Sequence, residues 1–243
     1  MIGVGVVALA HAAPAPFVLD LMAGDRAVWH MPRADPPTVY LTFDDGPNPT
    51  TTPDLLDVLS RGGVHATFFL IDRHVTAETA PIIQRMFAEG HAVGLHSASK
   101  GYMLKSASDL VRTLKTAADR IEALSGSRPC RAFRPRGGWR SSAMYAGLRR
   151  IDYTLIGWGW MLWDVDPFRP RTADRILARV ESRVGSGDII VMHDGAAPGA
   201  ATDRRSHRSV DSCPPGSRIR VWHGLPERAL VRRGRDPFHT IFG

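Results

Sequence analysis

Hydrophobic and polar positions alternate along this chain in two periods that take turns. Val39-Tyr40-Leu41-Thr42-Phe43 is an apolar, β-branched and aromatic run that stops at Asp44-Asp45-Gly46-Pro47, so two carboxylates stand where a strand ends and a turn opens. Residues 52–61 carry Leu55, Leu56, Val58 and Leu59 and close on Gly62-Gly63, which predicts a helix with its stop signal. A buried strand follows over 65–71, a helix over 78–89 ended by Gly90, and a short strand over 92–95. Over 107–124, Leu110, Val111, Leu114, Ala118, Ile121 and Leu124 share one face of a helix that ends at Gly126. Strands are predicted at 132–134, 153–157 and 188–192, with helices at 142–150 and 172–184 between them. Alternating strands and helices imply parallel strands with crossover helices, hence an open doubly wound sheet or a closed barrel.

Composition changes the picture mainly at the ends. At 243 residues, with 44% hydrophobic and 23% charged, the chain suits one globular domain plus appendages and can bury a sizeable core. Residues 1–22 are apolar and Ala-rich, but they lack a basic start, and His11, Pro14, Pro16 and Asp20 interrupt them. They read either as a shortened anchor or signal remnant or as a plain start to the core. Residues 23–37, rich in Pro and charge, read as a linker, so the catalytic-size body is expected over 38–198. The segment 199–243 carries nine arginines against four acids, which accounts for five of the seven net positive charges. The body is therefore close to neutral and nucleic acid is not an expected partner. Val210 to Gly216 breaks any helix, and the Arg-rich remainder has no sustained period, which reads as a non-native or frame-shifted end that leaves the fold incomplete. Cys130 and Cys213 have no metal-ligand spacing, and a disulfide between them is not assumed. Nothing in the pattern asks for a second copy of the chain, and a monomer is expected.

The candidate chemistry gathers at strand ends, where ligands bind in parallel α/β folds. Asp44 and Asp45 can divide the roles of base and metal ligand. His96, beside Ser97, is a neutral imidazole suited to a divalent ion. Arg134, followed by Pro135, Arg136, Gly137, Gly138 and Trp139, suits a bidentate grip on a carboxylate. Trp158, Trp160 and Trp163 with Asp164 and Asp166 suit a sugar platform, although aromatic residues are more often core. His193 emerges from the last strand where a general acid can sit.

Taken in order, TFDDGP at 42–47, HS at 96–97, FRPRGGW at 133–139, WDVD at 163–166 and IIVMHDG at 189–195 resemble the five motifs of the polysaccharide deacetylase family, the NodB-type domain of carbohydrate esterase family 4. The resemblance implies a deformed (β/α) barrel and a metal-dependent hydrolase that removes N-linked, or O-linked, acetyl groups from an N-acetylglucosamine-type polysaccharide or oligosaccharide. It implies Asp44 as base, Arg134 as its support, His193 as acid, and Asp164 or Asp166 as the residue orienting His193. Asp45 and His96 would hold the divalent ion, zinc by preference. Arg136, Gly138, Trp139 and Trp163 would line the substrate, and a backbone N–H near Gly138 or Trp139 would serve the oxyanion. An extracytoplasmic or membrane-associated location is implied as well.

Two departures stand out. Lys100 occupies the place of the second metal histidine, and an ammonium has no lone pair to donate. Lys100 can point away while water or Ser99 fills the position, or it can replace the metal at the acetyl carbonyl. As a third reading, the protein has lost catalysis and kept glycan binding. Arg136-Gly137, standing where the family carries Pro-Tyr-Gly, changes the wall that faces the sugar.

Overall fold

The computed structural model describes residues 27–33, 38–159 and 184–194, together with the backbone of 220–221. Strands β1 (Ala27–Val28), β2 (Thr38–Asp44), β3 (Thr67–Ile71), β4 (Ala92–His96), β5 (Ala132–Arg134), β6 (Thr154–Ile156) and β7 (Ile189–His193) form one sheet in the order β1-β6-β5-β4-β3-β2-β7. Every neighbouring pair is parallel. The crossover helices are α1 (Thr52–Arg61), α2 (Ala80–Ala88), α3 (Ala107–Ser125) and α4 (Ser142–Arg150). The arrangement is a deformed (β/α) barrel, as expected. The helix expected over 172–184 falls outside the described residues except at Val184, and among the described residues no helix is long and apolar enough to cross a membrane.

Side-chain alternation divides this sheet into two environments. Val39, Leu41 and Phe43 of β2, Phe68 and Leu70 of β3, Phe133, Leu155, Ile190 and Met192 pack beneath the helices. Tyr40, Phe69, Ala132, Ile156 and Ile189 form a second cluster on the opposite face. Because successive strand residues face opposite ways, Asp44, His96, Arg134 and His193 belong to that second, inner face. The helices follow their local signals. Ser106 caps α3 by accepting the Asp109 N–H, and Gly126 ends it at a φ of 76°, where its N–H reaches the Glu122 carbonyl at 2.8 Å.

The stretch expected to be a linker is partly structural. Ala27–Val28 pairs with Leu155–Ile156, Met31 N–H donates to the Gly187 carbonyl at 2.8 Å, and His30 bridges to Asp188. Residues 27–31 thus run from the β6 edge to the start of β7, and Gly159 N–H adds a direct bond to the Ile189 carbonyl at 3.2 Å. The sheet's two edges are joined by this strap. A two-residue strand in a Pro- and charge-rich stretch offers no periodicity to read. Within the atypical tail, β8 (Arg220–Val221) pairs in parallel with Thr38 and Val39, and the rest of the tail lies outside the described residues.

Candidate active site

Four strand ends deliver four side chains to one mouth. The register sets Asp44 opposite His193, and His96 opposite both Ile71 and Arg134. Arg134 is fully buried, and its guanidinium lies 4.1 Å over the Phe69 ring. A buried cation needs every donor engaged. Arg134 donates to Asp44 Oδ1 at 2.8 Å, to Thr42 Oγ1 at 2.7 Å, and to the carbonyls of Gly157 and Ile156 at 3.0 and 3.3 Å. Thr42 passes the chain on by donating to the Ile190 carbonyl at 2.7 Å.

Asp44 is 4% exposed, and burial by itself pushes its pKa up. The Arg134 guanidinium opposes this, helped by His96 and His193, and the net result lies below the ordinary carboxylate value. Asp44 is therefore an ionised carboxylate in a dry setting. His96 is pushed the other way, since burial lowers its pKa and the pull of Asp44 and Asp45 does not overcome this. Its Nε2 lies 3.5 Å from Asp45 Oδ1 and its Nδ1 lies 4.0 Å from Asp44 Oδ2. That buried Nδ1 has no hydrogen-bond partner among the described residues.

Asp45 follows the strand at a φ of 72°, a left-handed turn that Asp tolerates better than most residues. The turn brings its carboxylate to the same mouth. Arg136, expected on the substrate wall, is instead bound to it: Nη1 donates to Asp45 Oδ1 at 2.8 Å and Nη2 reaches Oδ2 at 3.4 Å. The cause lies in the neighbouring motif, because Ser97 Oγ accepts the Arg136 N–H at 2.6 Å and fixes the loop's departure from β5. Gly137 and Gly138 then take φ values of 60° and 72°, which keeps the turn tight.

Other expected positions resolve differently. Gly138 is buried, with Trp158 lying where a side chain would extend, so it is not part of an open wall. The N–H groups of Gly138 and Trp139 donate to the Pro135 and Arg136 carbonyls at 2.9 and 3.3 Å, which engages the donors expected for an oxyanion. Lys100 is exposed, and its Nζ lies 5.5 Å from the centre of the Trp139 ring, a cation–π contact with the loop after β5. Trp163, Asp164 and Asp166 lie outside the described residues.

The residues present do not fit a divalent ion as expected. A catalytic zinc site takes three protein donors. Among the described residues no three His, Cys, Asp or Glu side chains converge for one. Asp45 and His96 supply two donors, Lys100 supplies none, and the guanidinium of Arg136 holds the Asp45 oxygen that an ion would need.

Four contributors went unassigned in the sequence. Thr42 and Ser97 sit inside quoted motifs, but an ordinary hydroxyl gives no hint of its partner. Asp194, 2% exposed, takes hydrogen bonds from Thr51 and Thr52 at the start of α1 and ties the first motif to the last. His74 Nδ1 meets the Asp45 carbonyl at 2.9 Å and braces the same turn.

Residues 32–156 match the polysaccharide deacetylase family model, which is half of the chain. A chitooligosaccharide deacetylase from Bradyrhizobium is 39% identical over 67% of this chain and 73% of its own length. The chain belongs to the polysaccharide deacetylase family. The family's members are hydrolases of acetyl groups and are generally metal-dependent. Among solved structures, a family 4 acetyl xylan esterase from Clostridium thermocellum in complex with a cobalt ion is 31% identical, with a TM-score of 0.62 over 72% of this chain and 80% of that one. A peptidoglycan N-acetylglucosamine deacetylase superimposes at a TM-score of 0.70 and 25% identity, over 86% of this polysaccharide deacetylase chain and 95% of the other.

Proposed function

We propose that the protein hydrolyses the acetamide of an N-acetylglucosamine-type oligosaccharide or polysaccharide, releasing acetate and leaving a free amine. The observation that carries this reading is Asp44: a buried carboxylate kept ionised by Arg134, at a strand end and in register with His193. In this reading Asp44 takes a proton from water as the water oxygen attacks the acetyl carbon, and the carbon–nitrogen bond then breaks as His193 supplies a proton to the leaving nitrogen. The bond formed is carbon to oxygen, and the proton left on Asp44 returns to solvent or to His193. The chitooligosaccharide and peptidoglycan deacetylases among its relatives support this class of glycan.

Acetate release from N-acetylglucosamine oligomers tests it. The wild-type chain is expected to release acetate and Asp44→Asn to release none, while both bind the oligomer. A second reading, a glycan-binding member without turnover, is favoured by the Arg136–Asp45 pair and by Lys100 at the position of a metal ligand. Oligomer binding by folded wild-type protein with no acetate release under any added metal would select that second reading.

A further inference from the structure

We propose that Arg136 is a built-in cation which takes the place of the divalent ion at Asp45, so that this site works without metal. The chemical part of the proposal rests on the deacetylase reading above. Both oxygens of Asp45 accept from the Arg136 guanidinium, and one of them, Oδ1, is also the atom nearest His96 Nε2. An ion bound to that oxygen would lie within about 4–5 Å of a fixed positive charge, and only two donors would be available to hold it. The guanidinium is not there by free rotation of a surface side chain. Its backbone N–H is held by the buried Ser97 hydroxyl at 2.6 Å, and the next two residues turn through left-handed φ values. Lys100, over Trp139 of the same loop, supplies a positive charge instead of a lone pair.

Arg136 is also suited to the task a Lewis acid performs. A guanidinium has five N–H donors, of which the Asp45 carboxylate engages two. Its side chain is about one third exposed, so the donors that Asp45 does not take are open to a ligand at the mouth Asp45 shares. There they can hydrogen-bond the acetyl oxygen as it gains negative charge, while Asp45 keeps the guanidinium in position. This also gives Asp45 a role in a site that holds no ion, and it accounts for the engagement of the Gly138 and Trp139 N–H groups elsewhere.

The test begins with metal content. Wild-type protein, Arg136→Gln and the double variant Lys100→His/Arg136→Ala are incubated with zinc or cobalt, desalted and analysed by inductively coupled plasma mass spectrometry, with circular dichroism confirming their folds. The wild type is expected to retain fewer than about 0.1 ions per chain and the double variant about one, since it combines a third donor with a released carboxylate. Roughly one ion retained by the wild type, or none by a folded double variant, would overturn the proposal. The second arm measures acetate release from N-acetylglucosamine oligomers with and without chelator. Wild-type release is expected to be unchanged by chelator and to fall about 100-fold in Arg136→Gln. Release abolished by chelator would overturn the proposal and leave the deacetylase reading standing. A wild type that retains no ion and releases no acetate would overturn the deacetylase reading, and with it the chemical role of Arg136, while supporting its exclusion of the metal.

Discussion

Asp44 and Arg134 depend on each other because neither has access to water. Arg134→Met removes the charge that opposes the effect of burial on Asp44, so the carboxyl pKa rises above its present lowered position. The acid limb of a pH–rate profile is expected to move to higher pH. Urea denaturation should show a loss of about 3–5 kcal/mol, the usual effect of stranding one member of a buried pair. The sign in the wild type runs the other way: a lowered carboxylate pKa gives stability that is present above the unfolded value and lost as pH falls through the folded one. His91, far from the mouth, carries a linkage of the same sign. It is buried, its Nδ1 accepts the Ala66 N–H at 3.2 Å, and burial lowers its pKa to about 4, with Glu89 opposing and His65 and Arg85 adding to the fall. The unfolded chain therefore takes up this proton first, and stability falls between pH 6.5 and about 4 by on the order of 2–3 kcal/mol. His91→Asn, which keeps an acceptor, should flatten that slope in denaturation curves taken across the range. Of these residues Arg134 was legible, since an arginine ending an apolar strand invites a carboxylate partner. Arg136 was not, because sequence spacing does not show which carboxylate the second arginine meets once Ser97 has fixed the loop.

Elements with strong periodicity were read to within a residue or two, and those without it were missed. Residues 52–61, 132–134 and 142–150 match their predicted bounds, because apolar stripes and stop signals are local properties of the chain. The strap at 27–31 earns its place through one close contact: Trp29 lies directly over Gly157, where a Cβ would run into its ring. Trp29 also stacks edge-on with Trp158 at 5.8 Å and under the Arg140 guanidinium at 4.9 Å. Gly157→Ala is expected to cost about 1–3 kcal/mol through overpacking. Combining it with Trp29→Ala should cost less than the sum of the two single changes, a coupling that a double-mutant cycle on thermal denaturation would reveal. If the two changes are additive, the strap does not bear on β6. At the other kind of boundary, Ser106→Ala should lower stability by about 1 kcal/mol through loss of the cap on α3.

At the scale of the whole molecule, the barrel is closed by contacts between its earliest and latest segments, and their strength depends on burial more than on number. Asp194 lies just past β7, about 140 residues from the hydroxyls of Thr51 and Thr52 that donate to it at the start of α1. Its backbone N–H in turn reaches the Asp44 carbonyl at 2.9 Å, so the closure and the candidate base share a support. Arg128 also carries two carboxylate contacts, to Asp119 and Glu122, but all three side chains are about half exposed. Water and salt screen that group, and side-chain entropy opposes it. Asp194→Ala is therefore expected to cost about 2–3 kcal/mol, since it strands buried hydroxyls, whereas Arg128→Gln should change stability by less than about 1 kcal/mol. Urea denaturation in low and high salt separates the two: added salt should shrink the small Arg128 effect and leave the Asp194 effect nearly unchanged. Equal costs for the two substitutions would mean that the buried closure contributes no more to stability than an exposed ion pair.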